Sequence, residues 1–551
     1  MKVIIIGGVA GGASAAARLR RLDERAEIIM LEKGAFISFA NCGLPYYIGG
    51  EITDAHDLFL QSPESFNERF RVDVRVHSEA IAIDREKQEV TILNHVTGEE
   101  YRESYDKLVL SPGAKPIVPS IPGIENPRVF TLRDVTDTLK IHAYIDRETA
   151  QTAVILGGGF IGLEMAEALT NRGLSVTLVT HANQVLPPLD PEMAADLHIH
   201  LRGKGVRLLL NNEVSEIDPL ADKLQVQLRS GEQLHADLLM LSIGVRPDSE
   251  LAVAAGLAVN NRGAILTDDH LQTNDPDIYA IGDAIAVTNT ISGQPDYIPL
   301  AGPANKQGRM VADILCGYEK SYRGTQGSSV IKLFDMTAAS TGLSEKKLRT
   351  LGRHYDKVYL YSSSHASYYP DAKSFSMKVL FDTENGRILG AQLVGYDGVD
   401  KRCDVLATAI RAGLTAYDLT ELELCYAPPY SSAKDPINMA GFVIENILTH
   451  KVRQAHWEQL PSILANENAI LLDVRTPDEV NRGRIDGSVA IPLDNLRERL
   501  HELDRRKTIY VHCQSGLRSY LACRILSQNT YDCLNISGGY RLYSVVRQSN
   551  I

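Results

Sequence analysis

Two cysteines stand where a thiol can do chemistry. Cys42 lies in Ser38-Phe39-Ala40-Asn41-Cys42-Gly43-Leu44-Pro45-Tyr46, and the next cysteine along the chain is Cys316. Cys42 therefore has no local partner for an internal disulfide, and any redox cycle must pair it with an outside sulfur. The bland alternative, a small buried hydrophobe among Phe, Ala and Leu, is common for a free cysteine. Cys513 follows the apolar strand pattern Lys507–His512 and opens the loop Cys513-Gln514-Ser515-Gly516-Leu517-Arg518-Ser519, which leads into a helix. A thiol there faces several backbone N–H groups, which together with the helix dipole lower its pKa and can hold an anion or a persulfide. Arg518 adds positive charge. Cys523 and Cys533 lack such a setting and read as core.

The elements that position Cys42 come first in the chain. Residues 2–6 form a continuous apolar, β-branched run, as a buried parallel strand requires. Gly7-Gly8-Val9-Ala10-Gly11-Gly12 follows, then a small-residue helix and a second strand, Glu27 to Leu31, ending at Glu32. This is a dinucleotide-binding unit. Glycines let backbone approach a pyrophosphate, the helix N-terminus attracts it, and Glu32 takes a ribose hydroxyl. Val9 occupies the middle glycine of the pattern. The unit recurs: strand Thr152–Leu156, loop Gly157-Gly158-Gly159-Phe160-Ile161-Gly162, a helix, and strand Ser175–Val179. Here Gly157, Gly159 and Gly162 complete the pattern, but Thr180-His181 replaces the acid, which leaves NADH against NADPH open. Two units imply two dinucleotides.

Composition bounds the rest. At 551 residues, the chain is long enough for three or four domains with separate cores. A net charge of −12 argues against nucleic acid or an anionic membrane as partner, and obliges a small anionic ligand to find a local basic patch. No apolar run approaches the roughly 20 residues of a membrane span. Seven scattered cysteines form no metal-ligand pair and no disulfide framework. That pattern suits a reducing cytoplasm, the expected location.

Beyond residue 322 the pattern changes to α+β, with strands expected at 329–334, 357–361, 375–381 and 388–394 and a helix at 403–412. Two tyrosine-bearing segments fall here, His365–Pro370 and Cys425–Tyr430. Residues 447–456 read as a linker. Alternating strands and helices follow from 457, including Ala469-Ile470-Leu471-Leu472-Asp473-Val474-Arg475.

Together these residues resemble a known family. Residues 1–446 are similar to coenzyme A-disulfide reductases, through the single-cysteine motif Ser38–Tyr46 and the segment Ala301–Arg309. Residues from 457 resemble a rhodanese domain, through Leu472–Arg475, Gly487–Pro492 and the Cys513 loop. The fusion resembles the group that includes NADH-dependent persulfide and polysulfide reductases. Related flavin-dependent disulfide reductases carry an earlier cysteine at the position held here by Ile37. The resemblance implies an α/β fold class: two Rossmann-like dinucleotide-binding domains, an α+β dimerisation domain and a C-terminal α/β rhodanese domain. Expected boundaries are 1–150 with 241–321 for FAD, 151–240 for NAD(P)H, 322–446 for dimerisation and 457–551 for rhodanese. It further implies Asp283 of Ile281-Gly282-Asp283 on the flavin's ribityl and phosphate region. Ser111–Ala114 and Ser242–Pro247 would be crossovers, with Ala114 near the flavin. Ser14, Arg18, Arg21, Ser38 and Asn41 would line a coenzyme A channel, with Lys434 a further phosphate contact. Tyr368 and Tyr426 would reach a partner subunit's Cys42 in a homodimer.

The reading that follows is an NAD(P)H-dependent flavoenzyme that reduces coenzyme A persulfide or polysulfide at a thiolate of Cys42 favoured by a lowered pKa. Cys513 delivers sulfur, and a protein sulfur donor is a further partner of that relay. Coenzyme A-disulfide reduction with a regulatory rhodanese domain is the main alternative. NADH oxidase chemistry through a sulfenic acid, and a sulfur carrier or sensor role for the tail, also remain open.

Overall fold

The computed structural model describes residues 1–148 and 150–549. It divides into two units, Met1–Ala182 with Gly205–Gly327, and Asn183–Lys204 with Ser328–Ile551.

The first unit contains two five-stranded parallel sheets. One runs in the order 278–280, 107–110, 2–6, 27–31, 73–75, and the other 207–209, 175–179, 152–156, 238–241, 129–131. Val3–Ile6 and Ala153–Leu156 are buried, as strands covered on both faces must be. Each glycine loop leaves the strand at which the order reverses. Lys2–Ile6 has Glu27–Leu31 on one side and Lys107–Leu110 on the other, and Thr152–Leu156 is flanked in the same way. Such switch points open the crevice in which doubly wound sheets bind nucleotides. The short strand Ile278–Ala280 returns to the first sheet and carries Asp283 to its end. The two expected crossovers pair with each other as antiparallel strands, Ala114–Pro116 against Val245–Pro247.

Helix Ala10–Leu22 is rich in Gly and Ala because another helix, Ala301–Leu315, lies against it. A Cβ added at Gly308 would stand 2.3 Å from the Gly11 carbonyl oxygen. Only glycine on the second helix lets the backbones come so near.

The second unit holds an antiparallel sheet in the order 329–333, 336–342, 388–395, 374–381, 356–363, and a parallel sheet in the order 454–455, 533–536, 508–512, 469–473, 489–490. The strands expected near 329, 357, 375 and 388 are present. Met336–Gly342 was not anticipated, since Met-Thr-Ala-Ala-Ser-Thr-Gly is too small and polar to read as a strand. Helix Val399–Ala412 begins four residues earlier than expected. The stretch 447–456 differs from a plain linker. Gln454-Ala455 is the edge strand on Asn535-Ile536, and Gln454 and His456 both bond to Asp356, each at 2.8 Å.

Strand Ser374–Phe381 is buried along nearly its whole length, and it includes one ammonium. Lys378 is fully enclosed, with its Nζ 2.8 Å from Asp190 and 2.7 Å from Glu345, and it also bonds Glu192. Lys357 meets Glu345 at 2.9 Å and Glu458 at 2.5 Å. Glu345 thus bridges two ammoniums. Burial alone would raise its pKa, but Lys378 and Lys357 hold it well below its ordinary 4.5. The stabilisation from this depressed carboxylate is complete above the ordinary value and is lost as pH falls below it. The network joins the chain around 190 to three sheet strands and to the segment that opens the C-terminal domain. Lys378→Met should leave three buried carboxylates facing one another and cost about 3–5 kcal/mol. Urea titration of the full chain measures this, and a midpoint equal to the parent's would show that the cluster contributes nothing.

Candidate active sites

The glycine loops have the shape that a bound dinucleotide needs. Gly7 has φ +99°, and a Cβ there would stand 2.0 Å from the Ser111 carbonyl oxygen; one on Gly12 would stand 1.8 Å from that of Gly7. Gly157 (φ +108°) and Gly162 repeat both constraints. Val9 has φ −104°, so its replacement of glycine requires no left-handed backbone. Nothing lies within 4 Å of where a Gly159 Cβ would be, so that loop faces open space. Neither helix Ala10–Leu22 nor helix Phe160–Asn171 has a side-chain cap, which leaves their first N–H groups for a ligand. Glu32 accepts from Gly8 N at 3.0 Å and Gly34 N at 2.9 Å, which fixes its carboxylate at the loop. Asp283 is pushed up to about 6 by burial. Ala114 opens its short strand next to Gly113 (φ +76°). The donor set fits FAD on the first loop and a nicotinamide dinucleotide on the second. Thr180 is buried, its N–H on the Leu209 carbonyl, and no acid stands there.

Cys42 lies in the short turn Asn41–Gly43 before helix Leu44–Gly49, and both Asn41 and Cys42 are exposed. Its thiol departs from expectation. Partial desolvation, then the carboxylates of Glu164 and Asp283, push the Cys42 pKa up. No cation of the first unit offsets them in its electrostatics, so the thiolate is not favoured by the protein's own groups. Glu164 reaches this neighbourhood because helix Leu44–Gly49 packs on helix Phe160–Asn171, where Gly49 meets Ala168 one turn beyond Glu164. Burial, then Glu167, push Glu164 up to about 7. Ser38, four residues before Cys42, takes φ +44°, pinned by its N–H on the Gly8 carbonyl and its own carbonyl on Leu60 N–H. A non-glycine residue in that region is strained unless the surroundings impose it.

Beside Ser38 lies a cleft of about 400 Å³. Ser14, Arg21 and Ser38, three of the five channel residues expected in this unit, line it, with Gln61, Phe66, Arg69, Phe70, Asn305 and Arg309. Ser14 donates to Asn305 at 2.6 Å. Arg18 and Asn41 do not line it. Arg18 Nε is instead 2.7 Å from the buried carboxylate of Asp313, so this arginine ties its helix to the next. Arg69 and Arg309 were missed. Arg309 had a readable signal: it stands four residues after Asn305 on one helix, hence on one face. The aromatic pair Phe66 and Phe70, at the same spacing with ring centroids 4.8 Å apart, offered another.

In the second unit the structure brings Tyr368 and Tyr426 together. Both are exposed, their phenol oxygens are 3.1 Å apart, and the bond to Tyr426 raises the Tyr368 pKa. Lys434 is exposed. The Cys513 loop has the expected form. Cys513 follows strand Thr508–His512, Gly516 turns with φ +115°, and helix Leu517–Gln528 begins. Its sulfur accepts from Gly516 N at 3.1 Å and from the Ser519 hydroxyl at 3.4 Å, and its own carbonyl accepts from Tyr540 N. Arg518 interacts with Cys513 but is held in both directions by Glu479, at 2.7 and 2.6 Å. Its charge at the loop is therefore largely neutralised. Glu479, which Arg518 holds down to about 2, was not foreseen.

Residues 1–308 match the pyridine nucleotide-disulphide oxidoreductase family, 328–436 its dimerisation domain, and 456–545 the rhodanese-like domain. The chain belongs to the pyridine nucleotide-disulphide oxidoreductase family. This oxidoreductase carries a C-terminal rhodanese-like domain, and its family implies FAD and NAD(P)H. It is 38% identical to the coenzyme A disulfide reductase of Staphylococcus haemolyticus over 442 residues, 80% of this chain and 98% of the relative. The reduced CoADR-RHD of Bacillus anthracis is 51% identical, with TM-score 0.98, covering 100% of this chain and 98% of that one. An NAD-dependent persulfide reductase from A. fulgidus is 37% identical, with TM-score 0.92, covering 98% and 100%. Among the described residues, no helix of the oxidoreductase is long and apolar enough to cross a membrane.

Since Glu164 is a negative neighbour of Cys42, Glu164→Gln should lower the thiol pKa and speed alkylation of Cys42 at pH 8 by about three- to tenfold. Alkylation rate against pH, read at the Cys42 peptide, checks this. An unchanged or raised midpoint would remove Glu164 from the site.

Proposed function

We propose that this oxidoreductase reduces the sulfane sulfur of a coenzyme A persulfide or polysulfide with NADH or NADPH, releasing hydrosulfide, and that Cys513 supplies sulfur to the reaction. The observation that carries the reading is the cradle around Cys513. Two donors converge on one buried sulfur in the same chain as an exposed single cysteine beside a nucleotide crevice. A resemblance along the full length to a protein named persulfide reductase supports it.

On the first loop, Gly7, Gly12, Glu32, Ala114 and Asp283 would hold FAD; on the second, Gly157, Gly159 and Gly162 would hold the nicotinamide dinucleotide. Together these cofactors supply two electrons as hydride equivalents. Cys42 is the nucleophile. Its thiolate attacks the sulfane sulfur; the sulfur–sulfur bond breaks towards the coenzyme A thiolate and leaves a persulfide on Cys42, from which the two electrons that the cofactors would supply release hydrosulfide and restore the thiolate. With its pKa near neutrality, Glu164 holds a proton close to the departing anion. The exposed phenols of Tyr368 and Tyr426 can donate a hydrogen bond to a partner subunit's site in a homodimer. Arg21, Arg69 and Arg309 suit the phosphates of coenzyme A, and Phe66 and Phe70 give its adenine an apolar wall. Ser38 and Ser14 offer hydroxyls along the way, with Asn41 and Lys434 as further contacts. At the rhodanese loop, N–H and O–H donors stabilise Cys513 as thiolate or persulfide, and Arg518 anchors the loop through Glu479.

A second reading, coenzyme A-disulfide reduction with an accessory rhodanese domain, is favoured by the name of the Staphylococcus relative. Anaerobic steady-state rates with NADH separate the two. The proposal expects kcat/KM for a thiol persulfide at least about tenfold above that for coenzyme A disulfide, a difference of about 1.4 kcal/mol in the transition state. It also expects hydrosulfide as product and no activity in Cys42→Ser. Higher kcat/KM for the disulfide favours the second reading, and an active Cys42→Ser refutes both. Arg309→Ala should raise KM for the coenzyme A-bearing substrate while leaving that for glutathione persulfide unchanged. An equal rise for both would detach the cleft from coenzyme A.

A further inference from the structure

Three of the seven cysteines gather in one apolar core of the C-terminal domain: Cys513, Cys523 and Cys533, exposed by 1%, 2% and 7%. Cys523 and Cys533 are core residues, as expected, and they are also neighbours. Cys523 sits on helix Leu517–Gln528, which packs over strand Cys533–Ile536, and that strand pairs with the one leading to Cys513, Ile509 opposite Cys533. The Cys533 thiol approaches the Cys523 carbonyl at 3.4 Å. Each thiol also acts on the other's titration, which lowers the Cys533 pKa and raises that of Cys523. Arg453, whose guanidinium lies 3.2 Å from the Cys533 carbonyl, and Arg524 add positive potential, against Asp532. Cys533 follows the exposed stretch 527–530 by three residues and is itself the least buried of the three.

We propose that Cys523 and Cys533 form a second redox couple, which low-molecular-weight persulfides oxidise to a disulfide with release of hydrosulfide. The Cys533 thiolate attacks the outer sulfur of a persulfide R–S–SH; that S–S bond breaks, giving Cys533 persulfide and R–S⁻. The Cys523 sulfur then attacks the Cys533 Sγ. A Cys523–Cys533 bond forms, the Sγ–S bond breaks, and hydrosulfide leaves with the Cys523 proton. The sulfane sulfur gains two electrons and the dithiol loses two. The couple shares one apolar core with Cys513, and Cys523 also responds to the charge on it. Its oxidation joins helix Leu517–Gln528, whose Ser519 bonds the Cys513 sulfur, to the adjacent strand. The C-terminal domain then records the sulfur load by a covalent change of its own.

The test uses the reduced, FAD-loaded full chain without nicotinamide, so its outcome does not depend on turnover at Cys42. The protein is exposed anaerobically to excess glutathione persulfide, capped with N-ethylmaleimide, digested without reductant and mapped by mass spectrometry. In most chains, the Cys523 and Cys533 peptides should be joined by a disulfide, absent from the untreated sample. In Cys523→Ser the extra sulfur should stay on Cys533 as a persulfide. If both residues are recovered capped while Cys513 carries sulfur, or if each carries its own sulfur without a link, the proposal is overturned. The parent protein's map decides this even if a variant fails to fold.

Discussion

The crossing of backbone at Gly7 is the constraint on which the first unit depends. A Cβ at Gly7 would lie far inside van der Waals contact of a carbonyl oxygen, 2.0 Å from Ser111 O, so strand, loop and neighbouring crossover close only around glycine. Gly12 then seats the helix on the same loop, and Gly308 seats a second helix on the first. Three close approaches in series therefore place the helix N-terminus, Glu32 and Ser38 around one crevice. Ser38 shows what the packing imposes. It holds a left-handed backbone without being glycine, because Gly8 and Leu60 hold it from both sides. Cys42 follows at the end of this chain of constraints.

The two candidate thiols, Cys42 and Cys513, are built on opposite principles. Cys513 is buried, yet its sulfur has two hydrogen-bond donors, the arrangement that tolerates an anion in a dry place. Cys42 is exposed, yet its nearest charges are two carboxylates. A site that disfavours its own thiolate keeps the resting thiol quiet and gains its reactivity only when cofactor or substrate changes the local field. Carboxyls with pKa values near 6 and 7 beside it are a store of protons for a reaction whose products are anions.

Much of this was legible in the sequence because it rests on local pattern. Both glycine loops, the buried strands on either side and the Cys513 loop follow from short runs of residue type. What was not legible depends on contacts between distant segments. Arg18 and Arg21 look alike in sequence, but Asp313, nearly three hundred residues away, takes the first and leaves the second at the cleft. Arg518 reads as a positive charge beside Cys513 until Glu479 is found holding it. Glu164 looks like an ordinary helix residue, and only the seating of Gly49 on Ala168 brings it towards Cys42. Lys378, inside an apolar strand pattern, gives no hint of the three carboxylates that make its burial tolerable.

Charge unites these observations. A chain with a net charge of −12 repels a polyphosphate ligand at long range, so recognition must come from a local reversal. Arg21, Arg69 and Arg309 make that reversal at one cleft, each from a different helix, with aromatic side chains between them. The Gly308–Gly11 approach and the Arg18–Asp313 pair fix two of these helices on each other, and Arg20 holds the end of the third through the Phe70 carbonyl, so the arginines stand on a rigid frame. Their spacing can then discriminate a ligand by the positions of its phosphates, which a loose basic surface cannot do. The same close backbone packing that shapes the nucleotide crevice thereby also sets the selectivity of the cleft beside it.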